Sequence, residues 1–349
     1  MKAIIVNATA IDRGGALTIL CQFLSNIPPD DTQWIVFTSG VDLTNYEQTN
    51  IKFVPKSEVR GMFRRVMWDT FGLSRWLKQN NIEPIAGISL QNTGFRLPDP
   101  SVPQFIYFHN ILPLLKERWN PFKAEQRTMS FYRYIYPFFV RMFLTKKTNI
   151  IVQLPFIKDA FIAKFNHPAD RIMTAMPEVS IPEVEDLGEP LPTDKINLFY
   201  PASGLFYKNH HTLLAAIDGM QITPNLYLTN ADATHRDYIK DLGTISYKDV
   251  IAMYHKVDAL VFPSFIETIG LPLIEAAKLG IPIVAADMPF AHQALDGYEG
   301  VTYVDPFSPE KWREIINKVK KYQRYNPLDI SQRDGWSAFF NKLQSLFEK

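Results

Sequence analysis

Two glutamates, Glu267 and Glu275, stand eight positions apart where a buried strand gives way to a helix. Between them lies Gly270, which allows the backbone to approach a ligand closely, and Pro272, which suits the first turn of a helix. These residues predict a helix over 271–279. Glu267 then lies in the loop before the helix, and Glu275 lies near its first turn.

The start of this helix has the chemistry of a phosphate site. The free amides of Ile269, Gly270 and Leu271, with the positive end of the helix dipole, favour a phosphate or diphosphate. A carboxylate only accepts hydrogen bonds, so Glu267 and Glu275 favour sugar hydroxyls. Together these groups indicate a site for a nucleoside diphosphate sugar. Taken alone, however, such a glutamate pair is more often an ordinary feature of a helix start, because the dipole favours carboxylates there.

Three other features are ambiguous when each is considered alone. Lys208 and Asn209 stand between a predicted strand and a predicted helix, a position that suits phosphate binding as well as an ordinary surface lysine. His109 ends an apolar strand, where a single histidine is more often a structural residue than a functional one. Gly14 and Gly15 are, by themselves, an ordinary turn.

Predicted strands alternate with helical segments along both halves of the chain. This alternation predicts an α/β protein with parallel sheets and crossover helices. Ligands of such sheets bind at the carboxyl ends of the strands, so we expect a cleft between two Rossmann-like domains. The predicted strands are 3–7, 34–39, 52–55, 103–110, 149–154, 196–203, 225–230, 259–264 and 281–287.

The domain boundaries follow from composition. Residues 177–193 carry four prolines and no periodic pattern, which is typical of a linker. We therefore expect an N-terminal domain over 1–176, a linker over 177–194 and a second Rossmann-like domain over 195–330. The segment 331–349 has aromatic residues at helical spacing and is predicted to be an amphipathic helix.

Composition points to an ordinary soluble protein in a reducing compartment. The 349 residues are 46% hydrophobic and 21% charged, and the single cysteine, Cys21, excludes an internal disulfide. The N-terminus has no pattern of a signal peptide, and no run approaches the ~20 apolar residues of a membrane-spanning helix. We expect a cytoplasmic protein.

Other enzyme classes are disfavoured by missing patterns. The loop at Gly14 and Gly15 is not a G-x-G-x-x-G fingerprint, and the next strand ends in Thr38 and Ser39 without an acid for a ribose, which disfavours a dinucleotide oxidoreductase. The sequence contains no Asp-x-Asp triplet, no His/Cys cluster with metal spacing, no Walker loop and no G-x-S-x-G elbow. We therefore expect neither a metal nor a bound cofactor.

The segment FPSFIETIGLPLIEAAKLGIPIVAADMP resembles the Glu-x7-Glu signature of retaining GT-B glycosyltransferases of family GT4 (glycosyl transferases group 1). Upstream, IDRGGALTIL resembles that family's donor loop, and FHNILP resembles its histidine-bearing segment. YPASGLFYKNHHTLL resembles its lysine-bearing segment, and LGTISYKDVIAMYHKVDALVFPS resembles its base-recognition turn and following helix. The resemblance spans most of the chain. It implies the GT-B fold, with two Rossmann-like domains facing across a cleft and a C-terminal helix that crosses back to the N-terminal domain. It also implies that the domain over 1–176 binds the acceptor and the domain over 195–330 binds the nucleotide sugar.

The resemblance also implies roles for single residues. Glu267 would hold hydroxyls of the donor sugar, Lys208 would neutralise the departing diphosphate, and His109 would lie beside the donor sugar. Glu275 would bind the ribose. The remaining residues that it places at the donor are Gly14, Gly15, Ser203, Asn209, Ile245, Tyr247, Ile269, Gly270 and Leu271.

One position departs from the family pattern. Members often carry an arginine shortly before the lysine, as a second cation for the diphosphate, and here Ala202 or Ser203 takes that place. Arg13 is a candidate replacement.

These observations favour a metal-independent transferase that moves a sugar from a nucleotide donor to the hydroxyl of a saccharide or lipid-linked acceptor. The resemblance implies that the transfer retains the anomeric configuration. The setting implied is assembly of surface polysaccharide, such as O-antigen or capsule. Two alternatives stay open. One is a sugar-nucleotide-binding protein without transfer activity, which the missing arginine suggests. The other is a nucleotide-sugar epimerase of the same fold.

Two stretches of the first half combine basic and aromatic residues. Residues 60–78 contain five basic residues and one acid, and residues 116–147 contain eight basic residues and two acids. Such stretches fit core helices with a cationic solvent face, or a surface that contacts an anionic membrane. Nucleic acid is disfavoured, because the chain has no recognisable binding module and a net charge of only +1.

Overall fold

A computed structural model of the chain describes residues 1–229 and 236–347. The chain forms two compact units. The first comprises Met1–Glu178 and Arg333–Lys349, and the second comprises Val179–Gln332. Residues 177–194, predicted as a linker, form neither helix nor strand.

The first unit is built on a seven-stranded sheet in which all strands run parallel, in the order β3-β2-β1-β4-β5-β6-β7. Strand β1 is almost completely buried, as expected for the apolar run at the centre of a sheet covered on both faces. It aligns Ile4 with Trp34 on one side and with Ala86 on the other. The strands are β1 Lys2–Ala8, β2 Trp34–Thr38, β3 Ile51–Pro55, β4 Glu83–Ser89, β5 Gln104–Phe108, β6 Asn149–Val152 and β7 Ile172–Thr174.

Helices connect these strands, and two of the connections contain a π-helical turn. One such turn, Trp68–Gly72, joins α2 to α3, and the other, Phe131–Ile135, joins α4 to α5. Inserted π turns of this kind often occur near functional sites. The helices are α1 Gly14–Ser25, α2 Met62–Met67, α3 Leu73–Gln79, α4 Arg127–Ser130, α5 Tyr136–Phe143 and α6 Pro155–Phe165.

The second unit repeats the same plan with a six-stranded parallel sheet, in the order β10-β9-β8-β11-β12-β13. Its chain order reverses between β8 and β11, which pair directly. Such a reversal leaves a crevice at the carboxyl ends of the two strands. The elements are β8 Asn197–Tyr200, α7 His210–Asp218, β9 Asn225–Leu228, β10 Ile239–Asp241, α8 Tyr247–Lys256, β11 Ala259–Phe262, α9 Leu271–Lys278, β12 Ile283–Ala286, α10 Pro289–Ala294, β13 Val301–Val304 and α11 Pro309–Ile316.

The last helix, α12 Trp336–Gln344, belongs to the first unit. Its buried residues Trp336, Phe339, Phe340 and Leu343 lie at helical spacing and join the core beneath α1. The Trp336 ring stacks on Tyr107 of β5, with centroids 5.0 Å apart. The sequence predicted a longer helix over 331–349, of which residues 348 and 349 lie outside the described residues.

The predicted fold class is confirmed, since both units are Rossmann-like parallel sheets. Each predicted strand corresponds to a strand of the structure, although the last residue predicted for β9, Asn230, lies outside the described part of the chain. The sequence did not predict four strands, namely β4, β7, β10 and β13.

Candidate active site

Lys208 and Glu267 meet where the strand order of the second sheet reverses. Lys208 ends a short helical turn after β8, and Glu267 lies in the loop after β11. The Lys208 Nζ lies 2.6 Å from the Glu267 Oε1, and the two side chains are only 18% and 14% exposed. Ser264 Oγ donates a second hydrogen bond to the same oxygen, at 2.8 Å. The geometry thus brings two of the predicted catalytic residues into direct contact.

This ion pair leaves hydrogen-bonding capacity unused on both partners. The lysine ammonium has three N–H donors, and Glu267 takes one of them. The Glu267 Oε2 accepts no hydrogen bond from any residue within 1–229 or 236–347. The pair can therefore offer donors to an anion and an acceptor to a hydroxyl at one place.

Asn209 fixes the turn that presents Lys208. Its backbone is left-handed, with φ of 60°, and its side chain is completely buried. The Asn209 Nδ2 donates to the carbonyls of Pro263 and Pro306, at 3.1 and 2.6 Å, and Thr212 Oγ1 donates to its Oδ1 at 2.8 Å. Both N–H donors of the Asn209 side chain are therefore occupied within the protein, where they position the turn. Its predicted contact with the donor stays a prediction.

The start of α9 presents free backbone donors. Gly270 caps the helix in a left-handed conformation with φ of 69°, which favours glycine. The amides of Ile269, Gly270 and Leu271 donate to no acceptor in the described part of the chain, whereas the amide of Leu273 is bonded to the Gly270 carbonyl. Three unused donors therefore lie at the helix start, where the dipole favours an anion.

Glu275 lies deeper in α9 than the sequence predicted. No acidic residue occupies the first turn of this helix, and Glu275 sits one turn further along, only 7% exposed. Tyr254 on α8 donates its hydroxyl to the Glu275 Oε2 at 3.1 Å. Burial raises the pKa of Glu275, while hydrogen bonds from Tyr254 and Tyr247 oppose that increase.

Tyr247 is the first residue of α8, and Ser246 caps this helix together with Asp249. Burial and the nearby carboxylate of Glu275 raise the pKa of Tyr247. The Tyr247 hydroxyl donates to the Ser180 carbonyl at 3.2 Å, so Tyr247, predicted to belong to the base-recognition turn, acts on Glu275 chiefly through charge and proximity. Ile245 lies half-buried just before this helix.

Ser203 is exposed in the loop after β8, and Ala202 beside it is buried. Neither residue supplies a cation at the position where members of the GT4 family often carry an arginine. Arg13, the candidate replacement, is on the first unit, where its exposed guanidinium lies 3.3 Å from its neighbour Asp12.

His109 follows β5 in the first unit and is held by the turn after β4. Asn92 Oδ1 accepts the His109 backbone amide at 2.7 Å, and the Leu90 carbonyl lies 3.1 Å from the imidazole Nε2. The Asn92 Nδ2, a donor, lies 3.2 Å from the same Nε2, so this ring nitrogen faces both an acceptor and a donor. Burial lowers the pKa of His109 to about 4, so the ring is neutral near pH 7.

Gly14 and Gly15 begin α1 in the first unit. Gly14 has φ of 62°, which favours glycine, whereas a Cβ at either position would meet nothing within 4 Å. The backbone conformation at Gly14, and not crowding, therefore favours glycine in this loop.

The sequence did not identify three residues that hold these groups. Ser264 positions Glu267, Tyr254 positions Glu275, and Asn92 positions His109. Tyr254 follows Tyr247 by seven positions on one helix, and this spacing is the single signal that could have linked both tyrosines to one partner. No group of three or more His, Cys, Asp or Glu side chains able to hold a metal ion occurs among the residues that the structure describes.

Two Rossmann-like units of this strand order define the fold of the GT-B glycosyltransferases. Solved structures with this fold include sucrose-phosphate synthase from Thermosynechococcus elongatus, with a TM-score of 0.66 over 100% of this chain and 98% of that chain at 14% identity. HepE of Anabaena, solved in complex with UDP and glucose, has a TM-score of 0.60 over 91% of this chain and 89% of its own at 14% identity. At such identities the likeness establishes the fold alone.

Residues 185–332 match the family model described as Glycosyl transferases group 1. The chain is also 23% identical, over 230 residues, to the O-antigen chain mannosyltransferase RfbU of Salmonella typhimurium, an alignment that covers 61% of this chain and 64% of that relative. The chain thus matches slightly less than two thirds of the length of this curated relative. The match to this family model therefore lies within the second unit of a chain that has the GT-B fold.

Proposed function

We propose that the protein transfers a sugar from a nucleoside diphosphate sugar to an acceptor hydroxyl, with retention of anomeric configuration as in the GT4 family and without a metal ion. The observation that carries this proposal is the Lys208–Glu267 ion pair at the reversal point of the second sheet. The matched domain over residues 185–332 supports the same reaction class.

The leaving group of such a transfer is a nucleoside diphosphate, whose negative charge grows as the sugar bond breaks. Lys208 would place its unused N–H donors on this diphosphate, and the free amides of Ile269, Gly270 and Leu271 would bind its distal phosphate. Donors that are already fixed in place stabilise the developing charge without reorganisation.

The sugar and the ribose would be held by carboxylates. The free Oε2 of Glu267 would accept a hydroxyl of the donor sugar, and Glu275, oriented by Tyr254, would accept hydroxyls of the ribose. For the retaining step, the leaving phosphate would take the proton of the acceptor hydroxyl on the same face of the sugar. The role that the resemblance gives to His109 stays a prediction.

Donor binding tests this site directly. A panel of UDP-, GDP- and other nucleotide sugars should include a donor that raises the melting temperature of the wild type, because a ligand of the folded state stabilises it. Lys208→Met should lose that increase. The control is Lys318→Met, which removes an ion pair of the same 2.6 Å length from the exposed surface of the same unit. A shift that survives in Lys208→Met would reject the assignment.

Nucleotide release separates transfer from the two alternatives. A transferase should release nucleoside diphosphate slowly in water and faster with its acceptor. An epimerase would change the donor sugar without releasing nucleotide, and a binding protein would do neither.

For the acceptor, we propose a saccharide or lipid-linked saccharide of a bacterial surface polysaccharide, made at the cytoplasmic face of a membrane. The Salmonella relative named as an O-antigen chain mannosyltransferase supports this setting. An assay with lipid-linked and with free saccharide acceptors tests it, since only a preferred acceptor should accelerate nucleotide release.

We also propose that the first unit contacts an anionic membrane. Phe63, which is 78% exposed, Met67 and Phe71 line a groove of about 480 Å³ on the helical segment 62–79, and Arg64 and Arg75 line the same groove. Apolar side chains among arginines suit an interface of acyl chains and anionic headgroups. No helix in the described ranges combines the length and the hydrophobicity needed to cross a membrane.

Vesicle sedimentation tests this surface. The wild type should bind vesicles of phosphatidylcholine and phosphatidylglycerol more tightly than vesicles of phosphatidylcholine alone. Replacing Phe63 and Phe71 by serine should weaken binding, whereas Phe307→Ser, which changes a 63% exposed aromatic residue of the second unit, should not. Equal binding by both variants would contradict this proposal.

A further inference from the structure

Asp69 is a buried carboxylate that the proposed reaction does not use. It lies on the π-helical turn Trp68–Gly72 and is only 4% exposed. Its Oδ1 accepts a hydrogen bond from Asn7 Nδ2 at 2.7 Å, and Gln91 Nε2 lies 3.3 Å from each of its two oxygens. Asn7 lies near the end of β1 and Gln91 follows β4, so these contacts lie where the strand order of the first sheet reverses.

Gln91 uses its whole side chain to connect Asp69 to the loop that leads to α1. Its Nε2 donates to Asp69, and its Oε1 accepts the backbone amide of Ala10 at 3.0 Å. The backbone of Gln91 is held as well, because Tyr136 donates its hydroxyl to the Gln91 carbonyl at 3.3 Å. The side-chain amide is therefore held at both of its ends, and the backbone of Gln91 is held separately.

The residues on either side of Gln91 are those that hold His109. Leu90 contacts the imidazole Nε2 through its carbonyl, and Asn92 accepts the His109 backbone amide. Asn92 has a left-handed backbone with φ of 66°, and Gln91 lies directly between the two residues that hold His109.

We infer that Asp69 is a positioning residue, whose ionised carboxylate fixes Gln91 and thereby the turn 90–92 that orients His109. The groups that face this carboxylate favour its ionised form. Asn7 and Gln91 present N–H donors, and the cation of Arg65 acts on it from α2. Protonation would turn one Asp69 oxygen into an O–H donor that faces the N–H donors of Asn7 and Gln91. The contact with Gln91 would therefore weaken.

The protonation state of the Asp69 carboxyl changes near neutral pH. Burial raises the pKa of Asp69 to about 7, and Asn7, Arg65 and Gln91 oppose that increase. The other side chains of the small cavity beside it include Tyr132 and Tyr136. The imidazole of His109, with its pKa lowered to about 4, stays neutral over the range in which Asp69 titrates.

Histidine-selective ¹³Cε1 NMR of the full-length protein tests this inference without any activity. The His109 resonance, identified by its loss in His109→Gln, should shift with a midpoint near pH 7, although the imidazole itself does not titrate there. Asp69→Asn should abolish the shift, because an amide cannot ionise. Asp170→Asn, which replaces an exposed acid of the same unit, should leave the shift intact.

A second variant serves in case Asp69→Asn does not fold. Gln91→Met keeps the length of the side chain and removes the polar link, so it should reduce the shift at His109. A flat His109 resonance in the wild type between about pH 6 and 8, or a shift that persists in Asp69→Asn or in Gln91→Met, would overturn the inference.

The effect on catalysis rests on the proposed function. In a transfer assay, kcat of the wild type should rise with pH through the Asp69 transition, and Asp69→Asn should lose this dependence. A merely structural aspartate would alter stability without moving the pH profile. If the NMR shift is present but no nucleotide sugar is turned over, the proposed function fails and the inference stands.

Discussion

Replacing Lys208 by methionine should leave the second unit less stable, and replacing Glu267 by glutamine as well should restore most of the loss. Lys208→Met removes the cation from a carboxylate that is only 14% exposed and keeps just the hydrogen bond from Ser264. A mostly buried charge without its partner lowers the free energy of unfolding, because the folded state holds it away from water. A site that has lost both charges is free of this penalty.

The magnitude follows from the burial of the pair. A hydrogen bond to a charged group contributes about 1.5–3 kcal/mol, and breaking a fully buried ion pair costs about 3–5 kcal/mol. Because both side chains keep some contact with solvent, we expect Lys208→Met to lower the free energy of unfolding by about 2 kcal/mol. The double variant Lys208→Met/Glu267→Gln should lie within about 1 kcal/mol of the wild type.

A double-mutant cycle in urea measures this coupling. The two units can unfold separately, so the signal must come from the second one. Trp312 is the one tryptophan among residues 179–332, and its buried indole donates to the Asp305 carbonyl at 3.0 Å. Fluorine NMR of 5-fluorotryptophan at this position therefore reports the unfolding of the second unit.

The same variants separate stability from activity. Either single variant should lower transfer at least ~100-fold, the scale of losing one contact to developing charge, and the double variant should stay inactive although its stability returns. If the stability losses of the two single variants simply add, the pair does not couple as its geometry indicates. Transfer by Lys208→Met within tenfold of the wild type would remove Lys208 from the site.

Three further predictions concern single side chains. Glu275→Gln should raise the KM for the nucleotide sugar by roughly 10- to 100-fold, because the ribose loses a charged hydrogen-bond acceptor. A KM within about twofold of the wild type in initial-rate assays would exclude ribose binding by Glu275. Gly270→Ala should lower the free energy of unfolding, measured in urea, by about 1–2 kcal/mol, because φ is 69° and the new Cβ would lie 3.1 Å from Leu273 Cδ1. An unchanged urea midpoint would refute this strain. The unfolded state loses the Asp69 proton at about pH 4, whereas the folded state keeps it until about pH 7. The free energy of unfolding of the wild type should therefore fall between these pH values relative to Asp69→Asn, by an amount on the order of 4 kcal/mol. Parallel stability–pH curves for the two proteins in urea titrations would contradict that prediction.

Local patterns predicted the parts of the site that lie close together in sequence. Glu267, Gly270 and Pro272 fall within six positions, so turn and helix preferences were enough to place a loop before a helix. The depth of Glu275 was not predictable in this way. It depends on Tyr254 of a neighbouring helix, which one sequence does not align with α9.

Strand β4 shows why one central element was not predicted. Its sequence EPIAGIS contains Pro84 and Gly87, which weaken a strand pattern. Packing nevertheless favours Gly87, because a Cβ there would lie 3.0 Å from Leu97 Cδ1 and 3.1 Å from Phe95 Cζ. Close approach of the chain that covers β4 explains this glycine, and such tertiary contacts leave no local signal.

Both sheets reverse their strand order between two neighbouring strands, β1 and β4 in the first and β8 and β11 in the second. The loops that leave such strands diverge, and polar side chains can then meet between them. In the second unit a cation and a carboxylate meet there, with donors and an acceptor still unused. In the first unit Asn7 and Gln91 enclose Asp69 with amide donors, so that its carboxylate is satisfied within the protein. The same topology therefore gives one unit a site with capacity for a ligand and the other a site that orders its own loops.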